Sequence, residues 1–508
     1  MRVLRAMLVW VLILGILPLG PWAEGGFPAT MAWAGDGDGG GGDGDGGSDG
    51  DGGSDGDGDG DGDGDDGGSS SSSSSSDQGD SGAGGVGGGE IKFREYRRTL
   101  RALLGATPPR PERRATLAPR AAPRPTEAPR EIIARGLSDA DAAALAAQGY
   151  GVLNRIDLAS LGVNIQRLSV PEGTTLAEAR AAVQALPTGE TADFNHYYRA
   201  EAEELPTPIE GAVLPAPCDG LHCPARALIH WPENIGAQTC GAPVTLGMID
   251  TGINTDHAAL AGAQVALTRV APEDYNASDA IHGTAVAAIL VGDPASRAPG
   301  LLPGLPLVAV DAFHKEAGDE RADVFTLVQG LDQLIGAGAT VINLSLAGPP
   351  NTVLEDTLAA IEAAQSAVIV AAAGNGGPNA PPAYPAAYDS VIAVTAVDKG
   401  GRAYRRAGRG PHVDLAAPGV EVWTAASVQG ARWKTGTSFA APFVAAAAAL
   451  WRQTYPEMTP AEIRAALSQS AADLGAPGVD EVFGHGLLDL GGRCPVAGAD
   501  MLLPVLAE

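Results

Sequence analysis

Four short segments carry side chains whose types and order suit acyl transfer. Asp250 ends an apolar run within Gly-Met-Ile-Asp-Thr-Gly, and His282 opens the apolar segment His-Gly-Thr-Ala-Val-Ala-Ala. Asn375 follows another apolar run within Ala-Ala-Gly-Asn-Gly, and Ser438 lies in Gly-Thr-Ser-Phe-Ala-Ala-Pro before a long Ala-rich segment. Any one of these residues alone is more often a helix cap or a turn residue. The four together, in this order, predict a catalytic site.

The predicted site has a nucleophile, a base, an orienting acid and an oxyanion donor. A serine hydroxyl such as that of Ser438 is a poor nucleophile until a base within hydrogen-bond reach accepts its proton. Imidazole exchanges protons near neutral pH, so His282 is the predicted base, and Asp250 would fix its tautomer. His257 is the alternative base, but it lacks the Gly-Thr that follows His282. The side-chain amide of Asn375 and the backbone N–H of Ser438 would stabilise charge on the scissile carbonyl.

Strands and helices alternate from about Val244 to Leu490, and the strands are continuous apolar runs. The predicted strands include Val244–Ile249, Thr340–Leu344, Ala367–Ala373 and Val391–Val397, and the predicted helices include Asp319–Ile335 and Glu355–Gln365. Apolar strands separated by helices are typical of a parallel sheet covered on both faces. The predicted fold class is therefore α/β, with a doubly wound, mostly parallel sheet over 243–495. Such a sheet presents its active groups at the carboxyl ends of its strands.

In this setting the four segments resemble the Asp, His, oxyanion and Ser motifs of the subtilisin-like serine peptidases. The order Asp, His, Ser is that of subtilisin, and the separations 282 − 250 = 32 and 438 − 282 = 156 residues suit that family. The resemblance covers roughly half of the chain and implies a secreted serine endopeptidase that works through an acyl-enzyme. Two positions depart from the family's His motif, since Ala285 replaces a second His and Ala288 replaces a Gly.

The resemblance also implies where a substrate would bind. The segment after the predicted strand Thr340–Leu344 would pair with an extended substrate as an added β-strand and form one wall of the primary specificity pocket. The predicted wall residues are Ser345, Leu346, Ala347 and Gly348 on one side and Ala373 and Gly374 on the other. No cofactor is required for the chemistry. The family's structural calcium sites have no assigned position in this sequence, so calcium dependence is left open.

A smaller α+β unit is predicted upstream, over 131–200. The predicted strands are Glu131–Arg135, Val152–Ile156, Val163–Val170 and Thr191–Tyr198, and the predicted helices are Asp139–Gln148 and Leu176–Leu186. This order of elements is that of a ferredoxin-like module. The unit resembles the propeptide of the same family, which implies a precursor whose propeptide assists folding and then inhibits the enzyme. Its end would lie in the active cleft, with maturation cleavage between Tyr198 and Ala242, in the linker 201–242.

The beginning of the chain is typical of an export signal followed by low-complexity segments. Arg2 and Arg5 precede the apolar run Ala6–Leu17, and an Ala-Trp-Ala sequence ends at Ala34, which predicts a signal peptide over 1–34. The alternative is an uncleaved membrane anchor, but the run is shorter than the about 20 residues of a spanning helix. A disordered Gly/Asp/Ser segment is predicted over 35–89, an Arg/Pro-rich linker over 90–130 and a tail over 496–508. The predicted location is periplasmic, cell-surface or extracellular.

Charge and cysteine content support export and argue against nucleic acid as a partner. The 508-residue chain has a formal net charge of −28, but fifteen Asp lie within 35–89, and −28 + 15 leaves −13 for the rest. Four cysteines suit an oxidising compartment, and three pairings are possible. We favour Cys218 with Cys223 and Cys240 with Cys494, because the second pair brackets the predicted catalytic domain. A zinc site competes with this pairing, but the spacing lacks a C-x₂-C pair.

The expected partners are polypeptide substrates and the chain's own propeptide module. The enzyme is expected to be a monomer with no stable membrane span after signal cleavage. The main alternative is a catalytically silent relative that serves as a binding or inhibitory protein, and the presence of all four chemical residues argues against it. A third hypothesis makes the 35–89 segment the functional part, as a spacer or a cation-binding coat. That segment lacks the regularly placed apolar residues of a calcium-binding β-roll, so a solvated spacer is the simpler prediction.

Overall fold

The computed structural model describes residues 123–200, 220–232, 240–426 and 428–495. All of them belong to one compact unit, Ala115–Glu508. The predicted signal peptide, the Gly/Asp/Ser segment, most of the predicted linkers 90–130 and 201–242, and the tail lie outside the described residues. Within the described part of the chain, no helix is both long enough and apolar enough to cross a membrane.

The first folded part supplies four strands of an antiparallel sheet that has eight strands among the described residues, and two helices pack on these four strands. Its elements are β1 (Glu127–Arg135), α1 (Asp139–Ala146), β2 (Gly151–Leu158), β3 (Val163–Ser169), α2 (Leu176–Gln184) and β4 (Asp193–Ala200). The strands lie in the order β2-β3-β1-β4. Each helix begins at a polar cap, because Ser138 accepts a hydrogen bond from the backbone of Asp141 and Thr175 forms a capping box with Glu178. The helices and the sheet share a small apolar core of their own.

Two boundaries differ from the sequence-based prediction in this region. β1 begins at Glu127, within the stretch assigned to the 90–130 linker, because Glu127 pairs with His196 of β4. A register shift between Glu127 and Ile132 separates this pairing from the regular part of the strand. The helix α3 (Cys223–Leu228) lies within the predicted linker 201–242. Neither feature has an apolar pattern that distinguishes it from a linker.

The second folded part contains a parallel sheet of seven strands. After β4, the strands in chain order are β5 (Thr245–Asp250), β6 (Val265–Arg269), β7 (Asn276–Ala277), β8 (Leu307–Asp311), β9 (His314–Glu316), β10 (Asp319–Asp323), β11 (Ala339–Leu344), β12 (Leu346–Ala347), β13 (Val368–Ala372), β14 (Ile392–Val397), β15 (Leu415–Pro418), β16 (Val422–Ala425) and β17 (Ala431–Lys434). The parallel sheet has the order β15-β14-β13-β11-β5-β8-β6. The carboxyl ends of these strands therefore meet at one edge.

Helices cover both faces of this sheet. In chain order they are α4 (His282–Val291), α5 (Val324–Gly336), α6 (Thr352–Ala363), α7 (Thr437–Thr454) and α8 (Pro460–Ser470). α4, α7 and α8 share one apolar core with the sheet, and α5 and α6 share the other. Successive strand residues alternate between the two cores, as Met248 and Ile249 do in β5. The predicted α/β fold with a parallel sheet is confirmed.

The predicted helix Asp319–Ile335 was wrong in its first turn. Asp319–Asp323 is the strand β10, and the helix α5 begins at Val324. β10 pairs with β9 on one side and with β4 on the other, so its backbone groups are satisfied by neighbouring strands. Asp323 accepts a hydrogen bond from the backbone of Thr326 and caps the helix.

A disulfide joins the two ends of the second folded part. Cys240 and Cys494 are bonded, with Cα atoms 5.5 Å apart and a sequence separation of 254 residues, as predicted. Cys223 is also disulfide-bonded, and Cys218, its predicted partner, lies outside the described residues. A cross-link between distant residues restricts the unfolded chain more than one between near neighbours.

We expect the long-range disulfide to contribute more stability than the local one. Replacing Cys240 and Cys494 together by Ser should lower the free energy of unfolding by up to about 5 kcal/mol, because it frees a long loop in the unfolded chain. The matched control replaces Cys218 and Cys223 by Ser and should cost about 2 kcal/mol. Urea unfolding followed by fluorescence measures both, in a catalytically inactive background. Equal losses in the two variants would contradict the prediction.

Candidate active site

Asp250 and His282 lie in direct contact at the carboxyl edge of the sheet. Asp250 ends β5, His282 opens α4, and Nδ1 of His282 lies 2.7 Å from Oδ1 of Asp250. Both side chains are buried. Because a carboxylate accepts hydrogen bonds and does not donate them, Nδ1 carries the proton. Nε2 of His282 is buried and has no hydrogen-bond partner among the described residues, so this atom can accept a proton.

This contact depends on a close approach between α4 and the loop after β5. The backbone N–H of Gly283 donates to Oγ1 of Thr251 at 2.9 Å. A Cβ atom at Gly283 would lie 2.3 Å from the carbonyl oxygen of Thr251 and 2.7 Å from that of Gly252. A larger residue at Gly283 would therefore force α4, and His282 with it, away from Asp250.

A second acid supports the loop after β5, and the sequence analysis missed it. Asp311 ends β8 directly beside Asp250, and its Oδ1 accepts a hydrogen bond from Ser278 Oγ at 2.9 Å. Ser278 Oγ in turn accepts from the backbone N–H of Gly252 at 2.8 Å. Burial raises the pKa of Asp311, while Ser278 and Arg269 act in the opposite direction. Like Asp250, Asp311 ends an apolar run, and that shared pattern was the signal available in the sequence.

Ser438 lies in the first turn of α7 and is locked to the segment after β11. Ser345 Oγ donates to the carbonyl oxygen of Ser438 at 2.8 Å, and Ser438 Oγ donates to the carbonyl oxygen of Ser345 at 3.2 Å. Phe439, the next residue, packs on the imidazole of His282 with ring centroids 5.3 Å apart. The fold thus brings the predicted nucleophile, the predicted base and one predicted substrate wall together.

Asn375 lies beside the start of α7, where its side chain is fixed in direction. Its Oδ1 accepts hydrogen bonds from the backbone N–H of Thr437 at 3.0 Å and from Oγ1 of Thr437 at 3.1 Å. With Oδ1 on Thr437, the amide NH₂ is directed away from that residue. The neighbouring Gly374 has φ +90°, a conformation that glycine adopts without strain, and its N–H donates to Thr437 Oγ1.

The predicted substrate wall is occupied by a strand of the first folded part. β4 pairs antiparallel with β12, with Ala200 opposite Leu346 and Arg199 opposite Ala347. β4 also pairs with β10, through Tyr197 and Tyr198. Two strands of the second folded part therefore pair with β4.

The side chain before Arg199 is enclosed at this contact. Tyr198 is fully buried, and its hydroxyl donates to the carbonyl oxygen of Pro349 at 2.7 Å. A Cβ atom at Gly348 would lie 2.6 Å from the ring of Tyr198. Glycine at Gly348 therefore makes room for an aromatic ring. Ala373, from the opposite predicted wall, is buried.

The two alanines that depart from the expected His motif pack in the apolar core. Ala285 and Ala288 are buried in α4 within the apolar core. The carbonyl oxygen of Ala285 accepts a hydrogen bond from Thr424 Oγ1 at 2.7 Å. The alternative base His257 is also buried, and its Nδ1 accepts a hydrogen bond from the backbone of Ala259. His257 thus caps a short turn, which is a structural role.

One buried histidine lies where the first folded part meets β9 and β10. His314 packs between the rings of Tyr275, 4.4 Å away, and Tyr197, 6.5 Å away. Its Nδ1 is buried without a hydrogen-bond partner among the described residues. Burial lowers the pKa of His314, and nearby Asp323 only partly offsets this effect. The neutral imidazole is therefore the form that this contact favours.

Across 123–200, 220–232, 240–426 and 428–495, there is no group of three or more His, Cys, Asp or Glu residues that could hold a metal ion.

Comparison with known proteins finds one family model and several similar proteins. The Peptidase_S8 model, described as the Subtilase family, matches residues 241–486, which contain Asp250, His282, Asn375 and Ser438. Subtilisin DY from Bacillus licheniformis is 34% identical over 257 residues, 49% of this chain and 90% of that protein. The minor extracellular protease Epr of Bacillus subtilis (strain 168) is 32% identical over 257 residues, 50% of this chain and 38% of that protein. The solved structure of the Prenylagaramide maturation protease PagA is 27% identical, with a TM-score of 0.43, and the match covers 50% of this chain and 92% of that one.

The burial of His314 predicts a loss of stability in acid. Because its pKa is lowered in the folded protein, its contribution is present above the ordinary value of about 6.5 and is lost as the pH falls below it. Replacing His314 by Gln should therefore reduce the fall in the thermal midpoint between about pH 7.5 and about pH 5. The control is His485→Gln, at an exposed position. Equal pH dependence in the wild type and His314→Gln, measured in an inactive background, would contradict this.

Proposed function

Because the chain belongs to the subtilase family, whose members are serine endopeptidases, we propose that Asp250, His282 and Ser438 form its catalytic triad. The observation that carries the proposal is the buried 2.7 Å contact between His282 Nδ1 and Asp250 Oδ1, beside a serine at the start of a helix. The protein is a hydrolase of peptide bonds, and its substrates are polypeptides. The silent binding protein is not favoured, since the base and its orienting acid are already in contact.

In the proposed mechanism, Ser438 Oγ turns from the carbonyl oxygen of Ser345 and attacks the scissile carbonyl carbon. Nε2 of His282 takes the hydroxyl proton, and Asp250 stabilises the imidazolium that results. The oxyanion accepts hydrogen bonds from Nδ2 of Asn375 and the backbone N–H of Ser438. His282 then gives the proton to the leaving amine, and water hydrolyses the acyl-enzyme through the same groups. No cofactor takes part in these steps.

The substrate walls follow from the same arrangement. An extended substrate would add as a strand beside β12, as β4 does. One wall of the pocket for the residue at the scissile bond would be Ser345 to Gly348. The other would be Ala373 and Gly374, which lie just before Asn375.

We further propose that the first folded part is a ferredoxin-like propeptide that restrains the enzyme. Its strand order β2-β3-β1-β4 and its helix positions fit that fold. Its last strand, β4, pairs with β12 at the position where a substrate strand would bind. The side chain of Tyr198 fills the space below Gly348. A precursor in this arrangement excludes other substrates until β4 is released.

Export to the periplasm, cell surface or exterior is proposed on the signal-like segment 1–34 and on the two disulfides. Disulfides persist in oxidising compartments. One relative at 32% identity carries the name of an extracellular protease. The 35–89 segment is proposed to be a solvated spacer, and the mature enzyme a monomer without nucleic-acid partners.

Removing the nucleophile tests the triad. Ser438→Ala should lower casein hydrolysis by about 10⁴-fold or more and stop self-processing, and Asp250→Asn should lower hydrolysis by about 10⁴-fold. Ser468→Ala, in α8, is the matched control and should keep wild-type activity. Circular dichroism checks that each variant is folded. Casein hydrolysis by Ser438→Ala at the wild-type rate would refute the assignment.

The strand register predicts the maturation site. Ala200 pairs with Leu346, so an antiparallel strand continued from Ala200 would place its next residue opposite Ser345, whose carbonyl oxygen contacts Ser438 Oγ. We therefore expect cleavage at a bond between Ala200 and Glu204. Mass spectrometry of the mature N-terminus measures it, and the Ser438→Ala precursor should stay uncut. A mature N-terminus beyond His222 would contradict the register argument.

A further inference from the structure

Arg199 binds an acidic group at the edge of the predicted cleft. Its guanidinium donates to both carboxylate oxygens of Asp319, with Nε to Oδ1 at 2.9 Å and Nη2 to Oδ2 at 2.6 Å. The side chains are only 18% and 10% exposed. A two-point contact of this kind requires a planar cation in a fixed direction, and it is stronger than a contact between neutral groups. Asp319 belongs to β10, in the second folded part, so it stays with the enzyme when β4 leaves.

The backbone register assigns this contact to a defined substrate position. Arg199 pairs with Ala347 and Ala200 pairs with Leu346, so a strand that continued this register would place its next residue opposite Ser345, which contacts Ser438. A substrate that adds to β12 in the same direction would place one side chain where Arg199 lies. That side chain belongs to the residue opposite Ala347, and it precedes the scissile bond.

The surroundings keep Asp319 available for a cation. The segment 314–323 carries four carboxylates against two cationic side chains. Arg321 Nη1 lies 3.2 Å from Asp319 Oδ2, but Arg321 is also paired with Glu316. Burial raises the pKa of Asp319, yet the hydrogen bonds and charges of Arg199 and Arg321 outweigh it and hold that pKa below its usual range. Arg124, just ahead of β1 in the first folded part, also lies near this carboxylate, with Nε 3.8 Å from Oδ1. With the first folded part gone, Oδ1 would lose both Arg199 and Arg124, while Oδ2 would keep Arg321.

We propose that Asp319 is a specificity residue that selects an arginine in the substrate residue opposite Ala347. This inference rests on the proposed function and adds a preference to it. The enzyme would then cut polypeptides that carry Tyr-Arg-Ala or a similar basic sequence ahead of the scissile bond, as its own precursor does. The competing account is that the Arg199–Asp319 pair only anchors the first folded part. The two accounts differ in what Asp319 does for peptides that contain no propeptide.

The test uses the self-processed enzyme and two quenched fluorescent peptides. Both peptides carry the chain's own sequence from Tyr198 to Glu204, one with Arg at the position of Arg199 and the other with Gln. We expect kcat/KM to be about tenfold higher for the Arg peptide, because a mostly buried, charge-assisted pair is lost with Gln. Asp319→Asn should bring the ratio near one by lowering cleavage of the Arg peptide, with the Gln peptide almost unchanged. Asp274→Asn, an exposed acid between β6 and β7, is the matched control and should keep the wild-type ratio.

A variant with the opposite charge at position 319 distinguishes a change of specificity from misfolding, because a misfolded enzyme would cut no peptide. Asp319→Lys should prefer a third peptide with Glu at the same position. A wild-type ratio near one, an unchanged ratio in Asp319→Asn, or no cleavage of the Arg peptide by the processed enzyme would overturn the inference and leave the protease assignment standing. Cleavage of the peptides by Ser438→Ala at the wild-type rate would instead remove the proposed function.

Discussion

The rest of the site depends on the hydrogen bond between His282 and Asp250. It joins a strand end to a helix start in a buried place, so a shift of either element would break it. The backbone contact from Gly283 to Thr251 closes the same gap, and only a residue without a Cβ fits there. Asp311 and Ser278 hold the loop from the other side through Gly252. A parallel sheet supplies this geometry because β5 and β8 end side by side.

The nucleophile depends on tight helix packing. α7 is buried from Thr437 to Gln453, and its many alanines let the helix lie close to the strands beneath it. This packing brings the first turn of α7 against Ser345 and Asn375 at the same time. A bulkier helix face would displace Ser438 and Asn375 together, since Thr437 is hydrogen-bonded to Asn375 and precedes Ser438.

The sequence predicted those site residues that local patterns of apolar and polar residues identify. Asp250, Asn375 and Ser438 each lie at the end of an apolar run or before a helical one, and a parallel sheet gathers such positions at one edge. β10 was misread because its Asp-Glu-Arg-Ala-Asp sequence has no apolar alternation, and its strand state comes from pairing with β4 and β9. The contacts of Asp319 and Asp311 were also missed. Both depend on partners far away in the chain, Arg199 and Ser278, which no local pattern connects.

The disulfide between Cys240 and Cys494 has a topological consequence. It turns the second folded part into a covalent ring that encloses Asp250, His282, Asn375 and Ser438. A single peptide-bond cut inside a ring opens it into a line but releases no fragment. For a peptidase that meets other copies of itself, one nick in a surface loop therefore leaves a single molecule whose pieces stay at each other's side and can remain folded. Two cuts, or one cut with reduction, are needed before any piece can diffuse away.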